Sequence, residues 1–252
     1  MEQKWFDEVK NHYNFVAENN SNERDVMFTC LYGSQNYGMA TDRSDVDTKS
    51  FVFPSYSDIA FHQPLLSEQL VLSNGSHAEM KDYRDMLNNI RKQNMNFLET
   101  LFTPYVVVNN LWRKFYDSLH ENREVFSRLD VDRGVKGFLG HMTRMYKCYF
   151  SGKDPKKAMH LFRLYDAMKR YALSDEPYEN LLFKPNNLDF LMEVREGKIA
   201  PQKLEELCKL YMVLGETLVD EIPKHEINKK GFERLETYEY LAFDEGMRKY
   251  YF

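Results

Sequence analysis

Two apolar runs, Val26-Met-Phe-Thr-Cys-Leu-Tyr32 and Lys49-Ser-Phe-Val-Phe53, bracket a short polar segment, and this arrangement constrains the fold more than any other feature of the chain. Each run reads as a buried strand. The segment between them opens with Gly33-Ser34, carries a second glycine at Gly38 and closes with Ser44-Asp45-Val46-Asp47. On an extended chain residues i and i+2 point to the same side. Asp45 and Asp47 therefore project together, with Val46 facing the core. Two carboxylates side by side repel each other; they become sensible when a divalent cation sits between them. At the other end of the segment, glycine lets the backbone approach a phosphate, successive turn amides form an anion nest, and the Ser34 hydroxyl adds a donor. A phosphate cradle followed by metal-binding carboxylates is what transfer of a nucleotide from a triphosphate requires. The structural alternative is a solvated turn.

The pattern Gly33-Ser34-Gln35-Asn36-Tyr37-Gly38 followed by Ser44-Asp45-Val46-Asp47 resembles the signature of the DNA polymerase β-like nucleotidyltransferase superfamily. More narrowly, residues 26 to 110 are similar to the bacterial and phage nucleotidyltransferases near the RNA-repair polymerase-β-like family. Those proteins carry a later carboxylate strand, a Lys-Asp helix start and an Asn/Glu-containing helix. Here these read His77-Ala78-Glu79-Met80-Lys81-Asp82 and Asn94-Met95-Asn96-Phe97-Leu98-Glu99. The resemblance implies Glu79 as the third carboxylate, where the family more often has Asp. It also implies two Mg²⁺ (or Mn²⁺) ions bridged by Asp45 and Asp47, and an NTP as substrate. Lys81 shares the Glu79 face and reads equally as a phosphate contact or as a partner of Glu79. Asn94 and Glu99 read as helix-stabilising or interdomain residues, and Arg43 as an exposed turn residue.

The rest of the chain supports an α+β fold. Residues 1 to 20 read as a helix. Ser67 to Ser73 pairs with His77 to Lys81 across Asn74-Gly75, a hairpin signal. Asp82 is the expected N-cap of one long helix, Tyr83 to about Phe102, ended by Pro104. Tyr105-Val-Val-Val108 is a last short strand. From about Leu111 the periodicity is helical, over 111–128, 134–151, 155–172, 187–196, 201–221 and 231–247. Strands first and helices afterwards predict a small mixed-sheet catalytic domain, residues 1–110, with flanking helices, followed by an all-helical domain, residues 111–252. In that second half Lys153 to Arg170 is the most basic segment. Lys156, His160 and Arg163 fall three to four apart and share a helix face, and with Lys157 they are the expected phosphate contacts of the nucleotide or acceptor. A solvated helix face is the alternative.

Composition narrows the setting. The chain has 252 residues and a formal net charge of -5, which argues against a generally basic nucleic-acid binder but leaves room for a local patch. Cys30, Cys148 and Cys208 are far apart, lack metal-ligand spacing and suit a reducing cytoplasm. No apolar stretch approaches a membrane span and the start of the chain has no signal-peptide core. The expected activity is transfer of a nucleoside monophosphate from an NTP to a hydroxyl. An RNA 3′ end or tRNA is favoured slightly as acceptor over a protein side chain or a small molecule. A nucleotide-binding module without turnover, or an antitoxin-type partner protein, is the rival reading.

Overall fold

The alternation of residues in the second apolar run decides how the sheet is used. Asp47, Lys49, Phe51 and Phe53 point to one face and Thr48, Ser50 and Val52 to the other, so one strand carries charge and aromatic bulk on the same side. The structure, a computed structural model, describes residues 2–20, 24–41 and 44–251, without the side chains of residues 2 and 249–251; Arg43 lies outside the described residues.

Helix α1 (Glu2–Asn19) is followed by strands β1 (Asp25–Tyr32) and β2 (Asp47–Phe53), the short helix α2 (Tyr56–Ala60), and strands β3 (Ser67–Val71) and β4 (His77–Asp82). Helices α3 (Tyr83–Arg91) and α4 (Met95–Leu98), a 3-10 turn at Glu99–Leu101 and strand β5 (Val106–Val108) complete the sheet region. The sheet is mixed, in the order β3-β4-β2-β1-β5. Strand β2 runs antiparallel to β1 and parallel to β4. The Asn74-Gly75 signal holds: β3 and β4 pair antiparallel with Val71 opposite His77, and Gly75 takes the positive φ of 83° that its turn needs.

One sheet face is covered by α1, where Val16 packs with Val26, Val52, Ala78 and Met80. Buried polar groups on this face satisfy one another. His12 Nδ1 lies 2.8 Å from Thr48 Oγ1 and Nε2 lies 2.9 Å from Ser76 Oγ. Asn74 Oδ1 already accepts the Ser76 amide at 3.0 Å, so the Ser76 hydroxyl donates to that same oxygen. Ser76 Oγ then accepts from His12 Nε2–H, which leaves Nδ1 to accept from Thr48. His12 thereby ties the starts of β2 and β4 together, and burial lowers its pKa to about 4.

The other face is aromatic at its far end. Phe28 and Phe51 stand 5.0 Å apart, and Phe53 stacks between Tyr83 and Trp112 at 5.4 and 5.0 Å. This face is closed by a 3-10 turn at Asn110–Trp112 and helix α5 (Arg113–Glu121), whose Tyr116 meets Phe28 at 5.1 Å; helix α6 (Arg123–Ser127) follows. The helical remainder comprises α7 (Val131–Gly152), α8 (Pro155–Leu173), α9 (Tyr178–Phe183), α10 (Leu188–Arg195), α11 (Pro201–Glu221) and α12 (Lys229–Tyr251).

The chain divides into two compact units, residues 1–129 with 228–252, and residues 130–227. The sequence division at 110 falls inside the first unit, because Trp112 and Phe115 complete the aromatic cluster on the sheet. Helix α12 also belongs to that unit: Tyr238 packs edge-on to Phe126, Arg91 pairs with Glu239, and the missing side chain of Gly246 makes room for the Phe53 ring. The second unit is a helical assembly built on the α7–α8 pair, where Gly134 leaves space for the Tyr171 ring.

The long helix expected over Tyr83–Phe102 is in fact broken. Asp82 does cap α3, accepting from the Arg84 amide at 2.8 Å. Gln93, however, takes φ 55° and its side chain turns inward to bond Ile90 O, Phe126 O and the Leu129 amide. Asn94 then caps a new helix by accepting from Asn96 N at 3.1 Å. Tertiary hydrogen bonds at one glutamine override a helical period. Helix α9 has only six residues, too few for its apolar pattern to show a helical period.

Candidate active site

The first strand delivers Tyr32 and then the glycine loop; the second begins at Asp47, which pairs directly with Tyr32 across β1–β2 and with His77 across β2–β4. Asp47 is therefore the first side chain of the charged end of the sheet face. It is half-buried, with His77 Nδ1 3.6 Å from its Oδ1. Asp45 precedes the strand and is exposed, its carbonyl accepting from the Gln35 side chain. Two residues past Asp47, Lys49 stands opposite Glu79 in register.

The Glu79 carboxylate is engaged at both oxygens. Tyr32 Oη donates to Oε1 at 2.9 Å, Lys49 Nζ lies 3.1 Å from Oε2, and Lys81 Nζ lies 4.0 Å from Oε2. Burial pushes the Glu79 pKa up, but Lys49, the Tyr32 hydroxyl and Lys81 outweigh it and hold the carboxyl below its usual range. The Tyr32 phenol is pushed up by burial first, and then by Glu79, Asp47 and Glu99. Lys81 stands beside Glu79 and donates to Ser67 Oγ at 2.6 Å.

The glycine loop is built around a residue expected to act elsewhere. Glu99, 1% exposed, accepts from the Gly33 amide at 2.8 Å and Asn36 Nδ2 at 2.9 Å, and its other oxygen accepts from Tyr37 Oη. Thr103 Oγ1 donates to Asn36 Oδ1 at 2.9 Å. Gly33, at φ 100°, gives its amide to this anchor and so has none to offer a phosphate, contrary to the expectation for Gly33-Ser34. The Ser34 amide and hydroxyl have no partner among the described residues, whereas its carbonyl accepts from Met39 N at 3.0 Å.

Lys49 and Tyr32 carry no expected role in the sequence, and Glu99 carries a different one, a helix-stabilising or interdomain residue. Lys49 had a visible signal: it is a charged residue in phase with Asp47 inside a run that goes on to Phe51 and Phe53. The Glu99 anchor on the glycine loop has no local signal, because its partners lie more than sixty positions away.

In the second unit the basic segment forms α8. Arg163 is buried, Lys157 and His160 are half-buried and Lys156 is exposed. Burial first, and then the charges of Arg163, Lys156, Lys157 and Arg195, lower the His160 pKa to about 3, so the imidazole is neutral at pH 7. His141 on α7 is likewise lowered by burial, Arg144 and Arg163.

The donor chemistry fits a hard divalent ion at Asp45 and Asp47, which offer oxygen ligands at the open end of the sheet. Glu79 does not fit as it stands, since both of its oxygens already serve other groups. Among the described residues no group of three or more His, Cys, Asp or Glu side chains is arranged to hold a metal ion. No helix among them is long and apolar enough to cross a membrane. A family model described as the RNA repair pathway DNA polymerase beta family matches residues 3–234. No curated protein matches the chain.

Proposed function

The chain belongs to the RNA repair pathway DNA polymerase beta family, and from that premise we propose that it transfers a nucleoside monophosphate from an NTP to a hydroxyl acceptor. An RNA 3′ end or tRNA is the favoured acceptor. The observation that carries the reading is the direct pairing of Tyr32 with Asp47: it joins the glycine loop and the carboxylates at neighbouring strand ends.

In the proposed reaction the acceptor oxygen forms a bond to the α-phosphorus, the bond from that phosphorus to the bridging oxygen breaks, and pyrophosphate leaves with the electron pair. The proton of the acceptor hydroxyl passes to solvent water. Asp45 and Asp47 would hold two divalent ions, Mg²⁺ or Mn²⁺, and Glu79 would reach one of them only on giving up its pairing with Lys49; such ions would neutralise the triphosphate and acidify the acceptor hydroxyl. The Ser34 amide and hydroxyl are the donors proposed to receive the leaving phosphates. Lys81 contributes positive charge beside Glu79. Lys157, His160 and Arg163 are proposed phosphate contacts on the helical unit, His160 as a neutral hydrogen-bonding group.

The test is incubation of the protein with each α-³²P-labelled NTP, Mg²⁺ or Mn²⁺, and total tRNA or cell lysate, beside an Asp45→Ala/Asp47→Ala variant. Label entering RNA with the wild type alone is the expected result. Label in protein names a different acceptor. Absence of both label transfer and pyrophosphate release with every NTP overturns the enzyme reading in favour of a binding module.

A further inference from the structure

Lys49 is a charged side chain in an unusual setting. It is 4% exposed, with its Nζ 3.3 Å from the centroid of the Tyr32 ring and 5.9 Å from that of Phe97. Its ammonium lies 3.1 Å from Glu79 Oε2, while the Tyr32 hydroxyl occupies Oε1. Ring, ammonium and carboxylate thus form a closed triad in which each member touches the other two. The triad stands on the same sheet face as Asp47, one pleat further along β2.

This geometry sets a condition on metal loading. A divalent ion of the Mg²⁺ type binds carboxylate oxygen at about 2.1 Å. An ion on Glu79 Oε2 would stand no more than about 5 Å from the Lys49 nitrogen. Two cations at that separation, in a site lined by aromatic rings, repel strongly. The ammonium has little room to withdraw, because its stem is buried between strand neighbours and rings. Parting a buried lysine from a carboxylate 3.1 Å away is itself unfavourable.

We propose that Lys49 is a positioning residue that reserves Glu79 from divalent ions in the nucleotide-free protein, so that the free protein loads an ion on Asp45 and Asp47 alone. The inference rests on the proposed function for the identity of those two ligands. It assigns Lys49 the part of a resident cation at the third carboxylate.

Mn²⁺ binding to the full-length, nucleotide-free protein, followed by electron paramagnetic resonance titration, tests this without an activity assay. In the wild-type background Glu79→Gln should change Mn²⁺ affinity by less than about twofold, whereas Asp47→Asn should weaken it about tenfold or more. Lys49→Met should release Glu79, giving a second bound ion or about tenfold tighter binding. Lys49→Arg, which keeps the charge, should behave as wild type. Circular dichroism establishes that each variant is folded; if Lys49→Met is not, the Glu79→Gln comparison decides alone. Glu79→Gln weakening Mn²⁺ binding as much as Asp47→Asn, or a folded Lys49→Met protein with unaltered stoichiometry and affinity, overturns the inference. Failure of Mn²⁺ to bind wild type and Lys49→Met alike removes both the inference and the carboxylate site it rests on.

Discussion

His12 illustrates how a residue remote from the carboxylates fixes where they stand. It sits on the opposite sheet face, yet its two ring nitrogens hold Thr48 and Ser76, the neighbours in sequence of Asp47 and His77. Folding keeps the ring neutral, with a pKa of about 4 against 6.5 in the unfolded chain. Between those values the unfolded state binds more protons than the native state, so stability falls as pH falls. The contribution is fully present above pH 6.5 and is lost by about pH 4. A shift of this size corresponds to roughly 3 kcal/mol. Urea unfolding between pH 7 and 4 should show this decline, and His12→Gln should flatten it; an equal slope in both proteins would contradict the assignment. His160, lowered for the same reason, adds a decline of the same sign that His12→Gln leaves in place.

At the scale of elements, the glycine loop and the turn at Glu99–Leu101 behave as one piece. Glu99→Ala removes the acceptor for the Gly33 amide and Asn36 Nδ2 at once. A buried donor left without its acceptor costs about 1–3 kcal/mol, and the expected loss of stability for this variant is about 2–3 kcal/mol. Urea titration reads the loss, and hydrogen exchange at the Gly33 amide should speed up selectively. An exchange rate unchanged from wild type would show that the loop does not depend on Glu99. The elements themselves were largely legible. The period-two pattern in β2, the Asn74-Gly75 turn and the Asp82 cap are local signals, and local signals survive folding. The break at Gln93 was not legible, because what holds it there are the Phe126 carbonyl and the Leu129 amide. The paired state of Glu79 was only half legible: Lys81 was a visible partner at i+2, but Lys49 becomes one only when β2 and β4 align.

For the whole molecule, helical periodicity marked out most of the C-terminal elements but not the unit to which each belongs. The apolar stripe of α12 reads the same whether it packs on other helices or, as found, joins the sheet unit through Tyr238 and Gly246. The candidate site residues could be proposed from the sequence for the opposite reason: Gly33, Ser34, Asp45 and Asp47 fall in one short stretch, and the strands on either side of it pair with Tyr32 opposite Asp47. The activity proposed for these residues is nucleotidyl transfer. Single-turnover pyrophosphate release, measured with NTP, Mg²⁺ and total tRNA for the wild type and for Asp47→Asn, tests it most directly. The expected result is release by the wild type and a loss of at least about 10²-fold in the variant. Equal release by the two proteins, with both shown to be folded, would contradict it.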